Sequence, residues 1–273
     1  MVFQKKHLKT GLRKNKMIKQ IPNIFTLINL FLGCIAIVFA LQTETISIYV
    51  GEDLSTHYNI PEKLSIAAYF IFAAAVIDFL DGFVARLMNA TSEMGKQLDS
   101  LSDVVSFGVA PSVILYQLLR ISFIKEEDGL ETSIAWLLPA FIVACAGAYR
   151  LARFNLDNSQ SYGFKGVPIP AAGLLIASFP LILHFGNSFI NVNEWLTNKW
   201  VLYAVIILVS GLMVSTLPLM ALKFKDFSIK NNIPKIILLT VAVVAAFIFN
   251  WLAVPIVFIV YIILSLLFKK TSA

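Results

Sequence analysis

Runs of about 20 apolar residues recur along this chain, and such a run, rising about 1.5 Å per residue as a helix, crosses a hydrocarbon layer roughly 30 Å thick. They lie near residues 22–42, 64–85, 98–122, 134–154, 169–186 and 200–222. The tail from Ile236 to Phe268 is too long for one crossing. Asn250, Trp251 and Pro255 supply a turn within it, so it divides into helices near 236–249 and 252–268. With 58% hydrophobic and 14% charged residues and a mean hydropathy of +0.80, the chain lies outside the soluble globular range. The expected fold is all-α, a polytopic membrane bundle of eight spans. A basic arm, 1–20, precedes a single transmembrane domain, 21–273, without internal repeats.

Charge orients these spans. Lys5, Lys6, Lys9, Arg13, Lys14, Lys16 and Lys19 precede the first acid of the chain, Glu44. A basic end flanking a span stays on the cytoplasmic side, where anionic lipid head groups are its natural contact. Nucleic acid is the weaker reading, because the cluster abuts a membrane span. Alternate connections follow the rule: Arg86, Lys96, Arg150, Arg153, Lys165, Lys223, Lys225, Lys230 and Lys235 fall inside, and Glu44, Glu52, Asp53, Glu62, Glu126, Glu127, Asp128 and Glu131 fall outside. Both termini are then cytoplasmic, in the inner membrane of a cell.

Four aspartates interrupt this apolar pattern. Asp78 and Asp81 close the second span, and Asp99 and Asp103 open the third, so the topology brings all four to the cytoplasmic interface. Spacings of three and four put each pair on one face of its helix. A carboxylate next to hydrocarbon is costly unless a cation or water compensates it. Hard divalent cations, Mg²⁺ or Mn²⁺, prefer such oxygen clusters and take phosphate oxygens as further ligands. Four carboxylates suit two metal ions sharing bridging aspartates. His7, His57 and His184 are dispersed, and Cys34 and Cys145 sit singly in apolar spans as small packing residues, so ligands other than oxygen are not available.

The neighbours suit a phosphate ligand. Asp78, Gly82 and Arg86 run down one helix face at spacings of four, and Gly95, Asp99 and Asp103 repeat the spacing on the other helix. Glycine permits close approach, and Arg86 offers a planar fork of donors beside the small Ala85. On the first span, Asn23, Thr26 and Asn29 recur along one face near the same interface, where they can line a ligand pocket or bond to neighbouring helices.

From Asp78 to Asp103 the chain reads D-x-x-D-G-x-x-A-R, eight residues, then G-x-x-x-D-x-x-x-D. This resembles the signature of the CDP-alcohol phosphatidyltransferase family. The resemblance implies a CDP-linked lipid, CDP-diacylglycerol, held through its diphosphate on two divalent metal ions, with an alcohol displacing CMP. It implies that Asp78, Asp81 and Asp99 hold one ion and Asp78, Asp99 and Asp103 the other, with Asp103 also the general base. Gly82, Arg86, Ser92 and Gly95 correspond to positions beside the nucleotide lipid, and Asn23, Thr26 and Asn29 to a segment approaching the cytidine. The family is generally homodimeric.

The form P-N-x-x-T-x-x-N from Pro22 to Asn29 is similar to that of the serine-accepting bacterial-type branch. So are Ser102-Asp103-Val104-Val105-Ser106-Phe107-Gly108, Tyr149-Arg150-Leu151-Ala152-Arg153-Phe154-Asn155 and Phe164-Lys165-Gly166-Val167-Pro168. The branch implies L-serine as acceptor, and Arg150, Arg153 and Lys165 are suited to its carboxylate. Glycerol 3-phosphate or an inositol compound would also attract these bases, and positive-inside anchoring is their other reading. A divalent-cation transporter would also put acids in a helical bundle, at mid-membrane depth with access from both sides.

Overall fold

A computed structural model describes residues 21–42, 62–88, 90, 92–125, 132–157, 164–186, 192–220 and 229–268. The basic arm, the acidic outer segments around Glu44 to Asp53 and Glu126 to Glu131, and Lys223 and Lys225 lie outside these residues.

The helices are α1 Ile21–Leu41, α2 Glu62–Leu87, α3 Glu93–Asp103, α4 Ala110–Ile124, α5 Ile142–Leu156, α6 Ile169–Phe185, α7 Val192–Leu196, α8 Lys199–Val214, α9 Ile229–Phe249 and α10 Ala253–Leu267. A π-helical turn, Val104–Val109, joins α3 to α4 into one rod, and 3₁₀ turns at Ile134–Trp136 and Leu138–Phe141 lead into α5. Two-residue strands, β1 Phe164–Lys165 and β2 Pro218–Leu219, pair antiparallel. Five stretches are long and apolar enough to cross a membrane, and α6 and α8 are shorter apolar helices. Helices suit this setting because each satisfies its own backbone amides. The chain is a multi-pass integral membrane protein.

Burial follows the sequence pattern. In α1 the buried residues are Pro22, Asn23, Thr26, Asn29, Gly33, Ala36 and Ala40, one stripe that packs along α2 and α3. From Leu175 to Leu183 every residue of α6 is buried, making it the central helix. The turn within the tail falls at Asn250–Leu252, where Asn250 adopts φ 50°.

Three expectations change. The third span starts earlier, at Glu93, because Ser92 caps α3 by accepting from the Gly95 amide at 3.0 Å. The sixth ends at Val214, because Leu217 precedes Pro218 and is biased to extended backbone, which pairs with β1. Cys34 and Cys145 are exposed on the outer surface of the bundle and do not pack.

The two ends of the bundle differ chemically. Trp136, Trp195, Trp200 and Trp251, all the tryptophans of the chain, gather at the end away from the aspartates. There Tyr203 donates to the Trp136 carbonyl at 2.6 Å, and Trp251 packs against Tyr69 and Phe72. Such rings favour a membrane–water interface.

Candidate active site

At the other end, the last turns of α2, the whole of α3 and the first turns of α1 converge. Asp78, Asp99 and Asp103 each present a carboxylate oxygen, and the three oxygens lie within 4.8 Å of one another. Asp103 is buried, and its Oδ1 has no hydrogen-bond partner. Among the described residues no lysine or arginine forms an ion pair with any of the four aspartates. Like charges about 5 Å apart repel by roughly 3 kcal/mol at an effective dielectric of about 20, so the trio calls for a cation. The donor set is all carboxylate, which fits a hard divalent ion.

Asp81 does not join the trio within that distance. It accepts a hydrogen bond from Thr26 Oγ1 at 2.7 Å and is buried between α2 and α1. The polar face of α1 therefore bonds across helices: Ser102 Oγ donates to the Thr26 carbonyl at 3.1 Å, and Ser106 Oγ to the Asn29 carbonyl at 3.0 Å. Asn29 is fully buried, with its side-chain amide turned to Asp103.

A cavity of about 260 Å³ adjoins the aspartates, lined by Asn23, Thr26, Gly82, Arg86, Ser92 and Gly95, with Asp81 and Asp99 in its wall. Six of the seven residues singled out for the nucleotide lipid thus share one wall, and Asn29 stands behind it. A Cβ placed at Gly82 would meet nothing within 4 Å, so this glycine leaves open space. At Gly95 the missing side chain is filled by protein: a Cβ would lie 3.0 Å from Asn23 Oδ1 and 3.1 Å from Ser92 Oγ. Arg86 is exposed at the rim, and Lys96, read from sequence only as a positive-inside charge, also lines the cavity. With the N-terminus of α3 at Ser92, these bases make one side of the cavity attractive to an anion.

The three basic residues assigned to the acceptor separate. Arg150 is 4% exposed, its Nε has no partner, its guanidinium lies 5.8 Å from the Phe154 ring, and it is within electrostatic reach of Asp103 and the Tyr261 phenol. Arg153 instead donates to the carbonyls of Val214 at 2.7 Å and Ser215 at 2.9 Å, closing the end of α8. Lys165 pairs with Asp157 at 2.7 Å. The sequence did not point to Tyr261 as a neighbour of Arg150; the available signal was the spacing of four between Tyr261 and Ser265, isolated polar groups on one face of an apolar helix.

Comparison with known proteins identifies the family. Residues 19–209 match the family described as CDP-alcohol phosphatidyltransferase. The chain is similar to proteins named CDP-diacylglycerol–serine O-phosphatidyltransferase in several organisms. That of Helicobacter pylori strain J99 is 37% identical over 157 residues, 57% of this chain and 54% of the relative. That of Bacillus subtilis is 38% identical over 150 residues, covering 52% and 78%, and that of Mycobacterium tuberculosis strain H37Rv 30% over 242 residues, covering 86% and 72%. The aligned region spans about half the length of the Helicobacter relative.

Proposed function

The chain belongs to the CDP-alcohol phosphatidyltransferase family, and on that premise we propose that it converts CDP-diacylglycerol and L-serine to phosphatidylserine and CMP, a step of phospholipid biosynthesis. The observation that carries the reading is the convergence of Asp78, Asp99 and Asp103 beside a cavity edged by Arg86 and Lys96. Serine as acceptor rests on the names of the relatives and on Arg150, a buried guanidinium within electrostatic reach of Asp103.

Asp78, Asp81, Asp99 and Asp103 would hold two divalent ions, Mg²⁺ or Mn²⁺. Bound there, they neutralise diphosphate charge and lower the pKa of a nearby hydroxyl. Asn23, Thr26, Gly82, Ser92 and Gly95 shape the nucleotide-lipid pocket, with Asn29 supporting it beside Asp103, and Arg86 donates to the diphosphate. Asp103 accepts the proton of the serine hydroxyl as that oxygen bonds to the lipid-side phosphorus. The bond from this phosphorus to the bridging oxygen breaks, and CMP leaves with the electron pair. The residues contribute position and charge more than covalent chemistry. Arg150 receives the serine carboxylate, while Arg153 and Lys165 support the surrounding segment.

The site faces the cytoplasm, with both termini on that side, the basic arm on anionic lipid, residues 21–273 as one domain, and two copies forming a homodimer. Transport of a cation is disfavoured by the position of the acids at one end, since neither α4 nor α6 carries an acidic residue. Purified protein given CDP-diacylglycerol, Mn²⁺ and a panel of alcohols should release CMP with L-serine and lose this on chelation. Turnover with glycerol 3-phosphate or inositol and none with serine would refute the acceptor assignment.

A further inference from the structure

Helix α10 lies outside residues 19–209, yet its polar face is tied into the site end of the bundle. Tyr261, 7% exposed, donates from its hydroxyl to the Met220 carbonyl at 3.1 Å. The Met220 amide donates to Ser265 Oγ at 3.2 Å, and Ser265 in turn donates to the Tyr261 carbonyl at 2.7 Å. Met220 thus has both its backbone groups bound by one face of α10. Arg153 also holds this segment, through the carbonyls of Val214 and Ser215. It is also held by the turn after β1, where the Gly166 amide donates to Leu217 at 2.9 Å and the Val167 amide to Leu212 at 3.1 Å. Gly166 has φ 77°, and a Cβ there would meet the carbonyl oxygens of Met213, Ser215 and Leu212, so the turn tolerates no side chain.

This clamp sits beside Arg150, one helical turn before Arg153. Because the Tyr261 proton is committed to Met220, the phenol oxygen offers only lone pairs to its surroundings, and the charged neighbour within reach is Arg150. A guanidinium buried this deeply with Nε unpartnered needs an anionic ligand and a fixed direction from which to meet it. We propose that Tyr261 and Ser265 are positioning residues for the acceptor: by locking the 214–220 segment between α5 and α10 they hold Arg150 ready for the acceptor's carboxylate. This inference rests on the proposed role of Arg150 in acceptor binding.

The test is steady-state CMP release by the purified full chain with CDP-diacylglycerol and L-serine varied in turn, for wild type, Tyr261→Phe, Ser265→Ala and Arg150→Lys. Tyr261→Phe keeps the ring and removes one hydrogen bond, so the KM for serine should rise about 3- to 10-fold, the range such a bond is worth. The KM for CDP-diacylglycerol and kcat should stay within about twofold, as expected for lost acceptor binding alone. Ser265→Thr should restore the serine KM that Ser265→Ala impairs. Should Tyr261→Phe fail to fold, judged by its thermal midpoint, Ser265→Ala, with its Thr counterpart, decides. An unchanged serine KM in a folded variant, or all three constants moving together, would overturn the proposal. If Arg150→Lys raises the serine KM and Tyr261→Phe does not, this inference alone falls; if Arg150→Lys has no effect, the acceptor reading falls and takes the inference with it.

Discussion

Asp103 illustrates how much one side chain can be asked to do. It is buried, one of its oxygens lacks a partner, and two further carboxylates crowd it. Asp103→Asn keeps the shape and removes the charge. It should lower CMP release by at least about 10²-fold, the low end for a lost general base, while the purified protein keeps its helical circular dichroism. Gly82 makes the opposite point, since open space surrounds it. Gly82→Ala should raise the thermal midpoint, Ala being favoured in a helix by about 1 kcal/mol, and should raise the KM for CDP-diacylglycerol by filling the cavity. A variant with lower stability and unaltered KM would show that the cavity wall does not meet the lipid. Thr26 is where a residue legible as polar took a role legible only in three dimensions. Its hydroxyl satisfies Asp81, so Thr26→Val should cost about 1.5–3 kcal/mol in denaturant unfolding, the range for a hydrogen bond to a charged group.

Among elements, the π turn at Val104–Val109 stands out because it directly follows Asp103. Single π turns widen a helix locally and are frequent at functional sites. This one presses on α1, where a Cβ on Gly33 would collide with Ser106 Oγ and the Ser106 backbone. Gly33→Ala should therefore cost about 1–3 kcal/mol as overpacking. It should also weaken Mn²⁺ binding measured calorimetrically, because the displaced turn carries Asp103 with it. Binding at wild-type affinity would show that the turn and the aspartates are uncoupled. No sequence period distinguishes a π turn from α-helix over six residues, which is why the third span reads as one uninterrupted helix. The β1–β2 pair was equally hidden: two residues on each side leave no alternation to detect, and Pro218 signals only where α8 stops.

For the whole molecule, the gathering of every tryptophan at one end and of the aspartates at the other gives the bundle a polarity. A single cysteine introduced at Lys96, in a background lacking Cys34 and Cys145, should react with an impermeant maleimide only from the cytoplasmic face; one at Asn198 should react only from outside. The reverse pattern would invert the proposed orientation. The all-helical bundle, the turn near Asn250 and the meeting of the acidic ends of α2 and α3 were readable from the chain, because hydrophobic runs and turn residues are local and helix spacing is periodic. Of the seven residues that the family resemblance singles out for a nucleotide lipid, six line one cavity. What no local pattern could divide was the set of bases proposed for the acceptor. Arg150, Arg153 and Lys165 are alike as charges, and what each meets is set by the packed bundle: Arg153 closes a helix some 60 residues on, Lys165 meets Asp157 eight residues back, and of the three Arg150 is the one within electrostatic reach of Asp103. Composition and periodicity determined that helices form and which face carries acid. Which charge is spent on holding the backbone and which is left for a ligand depends on contacts between distant residues, and those exist only once the bundle has packed.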